Sequence, residues 1–300
     1  MAFQVPGVDG PAAQERVGRF SADPVVLAAM RGASGGSGTN FDQLLAYAAM
    51  ESGLKPSAQA ATSSASGLYQ FTQQTWLNAV REYGAAHGLG AEAAMVVRQG
   101  GQLTVQDPMA RQRILDLRND PQVSSELATD HLRGLAEKLT PVLGRAPDPA
   151  ETYLAHFLGS GGASQVLQAL QATPDRPAAD LLPAAAQANK PMFYSPDGTP
   201  LTMTQFMQHL RDRVEQTYAS LGATMPASVN VASNGAKSDP PDADAIGWGS
   251  NVPVHRASEE QRAMLATLAG VFTRMDHATD RQHRQRGLPE AVLAPLGGSV

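Results

Sequence analysis

Cysteine is missing from all 300 residues. Its absence excludes disulfides, thiolate metal sites and a cysteine nucleophile, and it leaves the redox compartment open. Charge is sparse as well. Asp, Glu, Lys and Arg make up 17% of the chain and the formal net charge is −5, so nothing in the whole-chain balance argues for a nucleic acid or an anionic membrane as partner. No run approaches the roughly 18 consecutive apolar residues of a spanning helix, so no membrane span is expected. The opening Met-Ala-Phe-Gln-Val-Pro-Gly-Val-Asp-Gly has neither a basic start nor an apolar core, so no secretory signal peptide is expected. Seven histidines include no i, i+4 pair with a Glu between, which sets a zinc peptidase aside. The Gly159 to Gly162 run follows no strand and precedes no Lys-Ser/Thr; it reads as a helix–helix turn, not a phosphate loop. No metal or other cofactor is called for.

What is present is helix punctuation. Asp-Pro occurs at Asp23-Pro24, Asp107-Pro108, Asp120-Pro121 and Asp148-Pro149. Asp caps a helix and Pro is tolerated at its first position. An all-α fold follows, with a flexible leader over 1–22, a main domain over 23–221, a linker over 222–256 that is rich in Ser, Ala, Pro, Asp and Asn, and a C-terminal helix and tail over 257–300. Within the main domain, Met192 to Tyr194 reads as a short extended piece before a Pro-Asp-Gly turn and a helix from about 202 to 221. Ser258 with Gln261 caps the last helix. Its stripe of Leu265, Leu268, Phe272 and Met275 needs a partner, which makes 257–286 a candidate protein-binding segment.

Chemistry concentrates around residue 51. Phe41, Leu44, Leu45 and Ala48 follow the i, i+3, i+4, i+7 spacing of one helix face, and three residues further the stripe lands on Glu51. Asn40 with Gln43 reads as a capping box, and Gly53 then Pro56 stop the helix. A carboxyl group there is partly desolvated and sits at the negative end of the helix dipole. Both effects disfavour its charged form and raise its pKa, as a general acid near neutral pH requires. The competing reading is a helix-end glutamate turned out to water. Leu68, Phe71, Trp76, Ala79, Val80 and Tyr83 then form a helix packed on the first, with Trp76 in the core.

Glu51-Ser52, a loop of small residues, then Ser66-Gly67-Leu68-Tyr69-Gln70 resembles the lytic transglycosylases with a soluble-lytic-transglycosylase (SLT), goose-lysozyme-like domain. Their pattern is Glu-Ser at the end of a buried helix followed by Gly-Leu-Met-Gln; here Tyr69 stands for the Met. A second family segment, Ala-Tyr-Asn-Ala-Gly, is matched at Ala155 and Gly159, with His156 in the tyrosine's place and Phe157 in the asparagine's. In the family that tyrosine donates a hydrogen bond near the catalytic Glu, so His156 or the nearby Tyr153 must supply it here. The resemblance covers about residues 24 to 215 and implies a lysozyme-like helical domain.

The implied activity is cleavage of the β-1,4 bond between N-acetylmuramic acid and N-acetylglucosamine in peptidoglycan glycan strands. Glu51 serves first as acid and then as base while the muramic C6 hydroxyl closes a 1,6-anhydro ring. Ser63, Ser66, Tyr69, Gln70, Tyr153 and His156 are the implied substrate-binding and orienting residues. The chain itself offers no second carboxylate for a paired hydrolase: Asp42 points to the opposite face of the helix, and Glu82 and Glu92 lie in polar surroundings. The substrate places the protein in the periplasm or cell wall, reached through a specialised export apparatus or as a virion component. Two alternatives stay open: a non-catalytic cell-wall-binding or assembly module of a secretion, flagellar or phage-tail apparatus, and a lysozyme-type hydrolase of the same bond.

Overall fold

All four Asp-Pro punctuations cap helices. Asp23 accepts from the Val25 amide, Asp107 from Met109, Asp120 from Val123 and Asp148 from Glu151, each at 2.9 Å. In this computed structural model residues 14–35, 40–61 and 63–227 are described. Among them the chain is all-α, with eleven helices and two small hairpins. Residues 228–256 of the expected linker and the helix expected within 257–286 lie outside the described residues.

The helices are α1 (Pro24–Ser34), α2 (Phe41–Ser52), α3 (Gln73–Tyr83), α4 (Gly90–Met95), α5 (Pro108–Asp116), α6 (Pro121–Leu143), α7 (Pro149–Ala172), α8 (Ala178–Leu181), α9 (Pro183–Ala188), α10 (Lys190–Phe193) and α11 (Met203–Ser220). The long α6 and α7 form the spine. Helix α1 packs on α6, α7 packs on α6 and α11, and α2 is held between α1, α6 and α11. One continuous core runs from Ala22 to Leu221.

Helix α2 is more deeply placed than a one-sided stripe predicts. Every residue from Leu44 to Glu51 is buried, so the helix is enclosed on all sides. Ala46, Ala48 and Ala49 provide the close approach that such enclosure needs. Asn40 accepts from the Gln43 amide at 2.7 Å, but the Gln43 side chain turns instead to the Tyr47 hydroxyl at 3.3 Å, so the cap is one-sided. Trp76 is fully buried in α3 and donates to the Ile114 carbonyl at 2.6 Å.

Helix α3 starts at Gln73, so Leu68 and Phe71, expected within it, precede it in a turn and a bridge; other segments also differ from expectation. Residues Glu15–Val17 (β1) and Phe20–Ala22 (β2) pair antiparallel where a flexible leader is expected. Gly18 in their turn adopts φ +56, and a Cβ there would lie 1.9 Å from the Ser220 carbonyl oxygen. That carbonyl also accepts from the Arg19 amide at 3.0 Å. A second hairpin joins Val97–Gln99 (β3) to Gln102–Thr104 (β4) through Gly100-Gly101, both at positive φ. Finally, Met192 and Phe193 belong to the helical turn of α10 and only Tyr194 is extended, bridging to Pro200.

Candidate active site

Glu51 lies in the last turn of α2. Gly53 and Leu54 follow it in the left-handed conformation, at φ +63 and +66, and both amides return to α2 carbonyls. Ser52 completes the stop: its hydroxyl donates to the Ala48 carbonyl at 2.9 Å and accepts from the Lys55 amide at 3.2 Å. In the helix-then-loop pairing of Glu51 with Ser52, the serine therefore ends the helix. A non-glycine left-handed residue such as Leu54 is costly and persists only where packing holds it; Leu54 is itself buried.

The Glu51 side chain is 2% exposed. Its Oε1 accepts from the Tyr153 hydroxyl at 2.9 Å, and His156 Nε2 stands 3.7 Å from the same oxygen. Of the two candidates, Tyr153 makes the hydrogen bond to Glu51 and His156 lies just beyond bonding distance. Burial pushes the Glu51 carboxyl up to about 8, against a smaller opposing effect from the Tyr153 bond. The group is thus protonated at neutral pH, because its enclosure offers too little to solvate a charge. Burial acts in the opposite sense on the imidazoles. It pushes His156 down to about 4, partly offset by a backbone hydrogen bond with Tyr69, and His131 down to about 3. At neutral pH the acid keeps its proton and its neighbouring bases are uncharged.

The partners of Glu51 come from α7, and the start of α7 is anchored at several points. Asp148 and Glu151 form a reciprocal cap. Arg145 meets Glu151 through two bonds of 2.7 and 2.6 Å, and Arg211 of α11 meets Asp148 at 2.7 Å. The Tyr47 hydroxyl donates to the Pro149 carbonyl, joining α2 directly to the first turn of α7. Tyr153 and His156, three residues apart, share one face of that anchored helix. Their rings pack with Tyr47, Phe71 and His131 at centroid separations of 5.2 to 6.3 Å. The apolar void bordered by Tyr47, Tyr69, Phe71, Ala128, His131, Leu132 and His156 has no room for a water molecule. Within Pro149–Ala172, Gly159 has non-helical φ +74 and ψ 160, so two helical stretches meet at a kink where a helix–helix turn is expected.

The remaining expected site residues hold the loop together. Ser66 Oγ donates to Asn119 Oδ1 at 2.8 Å, and the Tyr69 hydroxyl pairs with Ser125 Oγ at 3.2 Å. Gln70, at φ +48, donates to the Ala58 and Gly67 carbonyls at 3.1 and 2.9 Å. Ser63 Oγ accepts from the Ala65 amide at 3.2 Å. Of the seven expected site residues, Glu51, Tyr153 and His156 meet at one point, whereas the side chains of Ser63, Ser66, Tyr69 and Gln70 bond within the loop, to Asn119 and to Ser125 of α6.

Arg118 is the participant that sequence reasoning missed. It is buried, and its guanidinium reaches the Leu115, Ser64 and Phe71 carbonyls at 2.8, 2.6 and 3.1 Å. Gly67, at φ +84, lies so close that a Cβ would sit 2.1 Å from the Arg118 carbonyl oxygen. Residues 118 and 119 thus clamp the loop from 63 to 71. A Leu-Arg-Asn-Asp turn carries no spacing that announces this; the contact is made only in three dimensions. The run Gly32-Ala33-Ser34-Gly35-Gly36 matches the spacing of a serine nucleophile elbow, but Ser34 ends α1 and donates to the Arg31 carbonyl at 3.0 Å. It sits on no strand-to-helix turn.

No protein-family model matches the sequence.

Proposed function

We propose that the chain is a lytic transglycosylase of peptidoglycan, with a lysozyme-like domain and Glu51 as its single acid and base. The observation that carries this reading is a buried carboxyl at a helix end, held by one tyrosine hydroxyl; its burial pushes it up to about 8, which favours the protonated form. Such a group can protonate the glycosidic oxygen as the C1–O4 bond breaks. As a carboxylate it can then take the C6 hydroxyl proton while O6 closes on C1. An intramolecular nucleophile makes a second carboxylate and a bound water unnecessary. Peptidoglycan lies in the periplasm or cell wall, and the protein acts there on this reading.

A second reading has its own observation. Only 2% of the Glu51 side chain reaches solvent, and Ser66, Tyr69 and Gln70 bond within the protein. A non-catalytic cell-wall-binding or assembly module would show the same closure. For catalysis, strand binding must uncover the carboxyl.

Mass spectrometry of the soluble products released from sacculi by the protein and by Glu51→Gln separates these cases. Muropeptides ending in 1,6-anhydromuramic acid, reduced about a thousandfold by the substitution, are the expected result. Reducing-end products mean a hydrolase. Release of nothing, with the protein still pelleting with sacculi, means a binding module.

A further inference from the structure

Helix α2 packs on α1, α6 and α11, and α7 is not among its main neighbours in the described residues. The link from the helix of Glu51 to the helix of Tyr153 is therefore made by long side chains. Gln43, Tyr47 and Glu51 follow at i, i+4 and i+8, so they share one face of α2. The last two meet α7 at matching steps. The Tyr47 hydroxyl donates to the Pro149 carbonyl, the Tyr153 hydroxyl donates to Glu51, and 102 residues separate the partners of each pair. Two bonds with the same offset, one helical turn apart, hold α7 parallel to α2 in a single register. A slide of one residue moves a helix about 1.5 Å along its axis and turns it about 100°, which breaks both bonds.

We propose that Tyr47 is a positioning residue that sets the register of α7 on α2 and so brings the Tyr153 hydroxyl to Glu51. It acts only through Tyr153. Where turnover is concerned, the inference rests on the reading of Glu51 as acid and base.

Donor accounting supports that role. Gln43 Nε2 donates to the Tyr47 oxygen at 3.3 Å, so the tyrosine's own proton is directed to the Pro149 carbonyl. Burial pushes the Tyr47 hydroxyl well above the ordinary phenol range, against a smaller opposing effect from the Gln43 bond, so that proton stays in place. Pro149 stands four residues before Tyr153, and in a helix its carbonyl is the acceptor for the Tyr153 amide. The Tyr47 hydroxyl therefore meets the backbone group that orients Tyr153. The two tyrosine rings also pack edge to face, with centroids 5.2 Å apart and planes at 72°. The Arg145–Glu151 and Arg211–Asp148 pairs tie the start of α7 to the preceding loop and to α11. Tyr47 refers it to α2, where the acid stands.

The test is a double-substitution cycle in the full chain: Tyr47→Phe, Tyr153→Phe and both together. Phenylalanine keeps each ring and removes only the hydroxyl. The Glu51 carboxyl is titrated by NMR with 13C-labelled glutamate, its signal assigned by loss in Glu51→Gln. The Tyr153 bond lowers the point at which Glu51 titrates, so Tyr153→Phe raises it. Tyr47→Phe alone is expected to raise it by about half a unit, and to add nothing where Tyr153 is already Phe. On sacculi, kcat should fall about threefold in Tyr47→Phe at unchanged KM, with no further loss when it is added to Tyr153→Phe. Equal shifts of the Glu51 midpoint in both backgrounds, or none in either, would mean that Tyr47 contributes packing alone and would overturn the inference. The titration needs no substrate, so a missing 1,6-anhydro product would remove the proposed function and leave the register to be decided by the midpoints.

Discussion

At Glu51, burial and charge oppose each other over a definite pH window. The carboxyl titrates at 4.5 when unhindered and at about 8 in the folded chain. A group raised in this way contributes its full stability below 4.5. That contribution is lost as pH rises from there towards 8, at a rate of at most about 1.4 kcal/mol per unit. Glu51→Gln, neutral at every pH, is therefore expected to raise the melting temperature at pH 8.5 and to change it little at pH 4. Scanning calorimetry at the two values checks this, and a uniform effect would contradict the burial assigned to the carboxyl. The histidines show the opposite sign. His156 and His131 are depressed from 6.5 to about 4 and about 3, so their contribution is present above 6.5 and is lost as pH falls towards those values. Replacing His131 by Gln should flatten the acid limb between pH 6 and 4. Glu51 was legible from sequence because the helical stripe pointed at it. The choice between Tyr153 and His156 was not, since both share a helix face and only the distances separate them.

Among the elements, the loop after α2 and the kink in α7 carry the most consequence. Arg118 holds the Ser64 and Phe71 carbonyls, and Gly67 fits against its backbone. Gly67→Ala combines a positive φ with a clash at 2.1 Å and is expected to cost about 3 kcal/mol. Arg118→Ala should cost about 2 kcal/mol through three carbonyls left short of a donor. Chemical denaturation measures both, and an Arg118→Ala variant within 0.5 kcal/mol of the unaltered protein would refute the clamp. Gly159 occupies a conformation open almost only to glycine, so Gly159→Ala should lose about 1–3 kcal/mol. The kink was visible in sequence only as a glycine run, because composition says that a helix is interrupted but not whether it resumes. The hairpin over 97–104 is legible in the sequence itself. Val-Val-Arg-Gln-Gly-Gly-Gln-Leu-Thr-Val carries the Gly-Gly signal of a two-residue turn between strands.

The whole molecule is organised by what surrounds α2. A one-sided stripe led to a helix resting on the core, yet tertiary packing encloses α2 between α1, α6 and α11; alanines on its remaining faces made that possible without adding an apolar periodicity. The short β1–β2 pair depends on a contact that no local pattern encodes. Gly18 and Arg19 meet the Ser220 carbonyl at the end of α11, so residues near the two ends of the described domain touch each other. That contact has a mechanical consequence. Tension applied to the chain on either side of the domain is borne first by the hairpin and its seat on α11, while α2 and the start of α7 lie behind them. In single-molecule pulling, a small low-force step that releases residues 14–22 should precede the main rupture. Up to that step Glu51 and Tyr153 stay in register, so the buried carboxyl keeps its one hydroxyl partner under load.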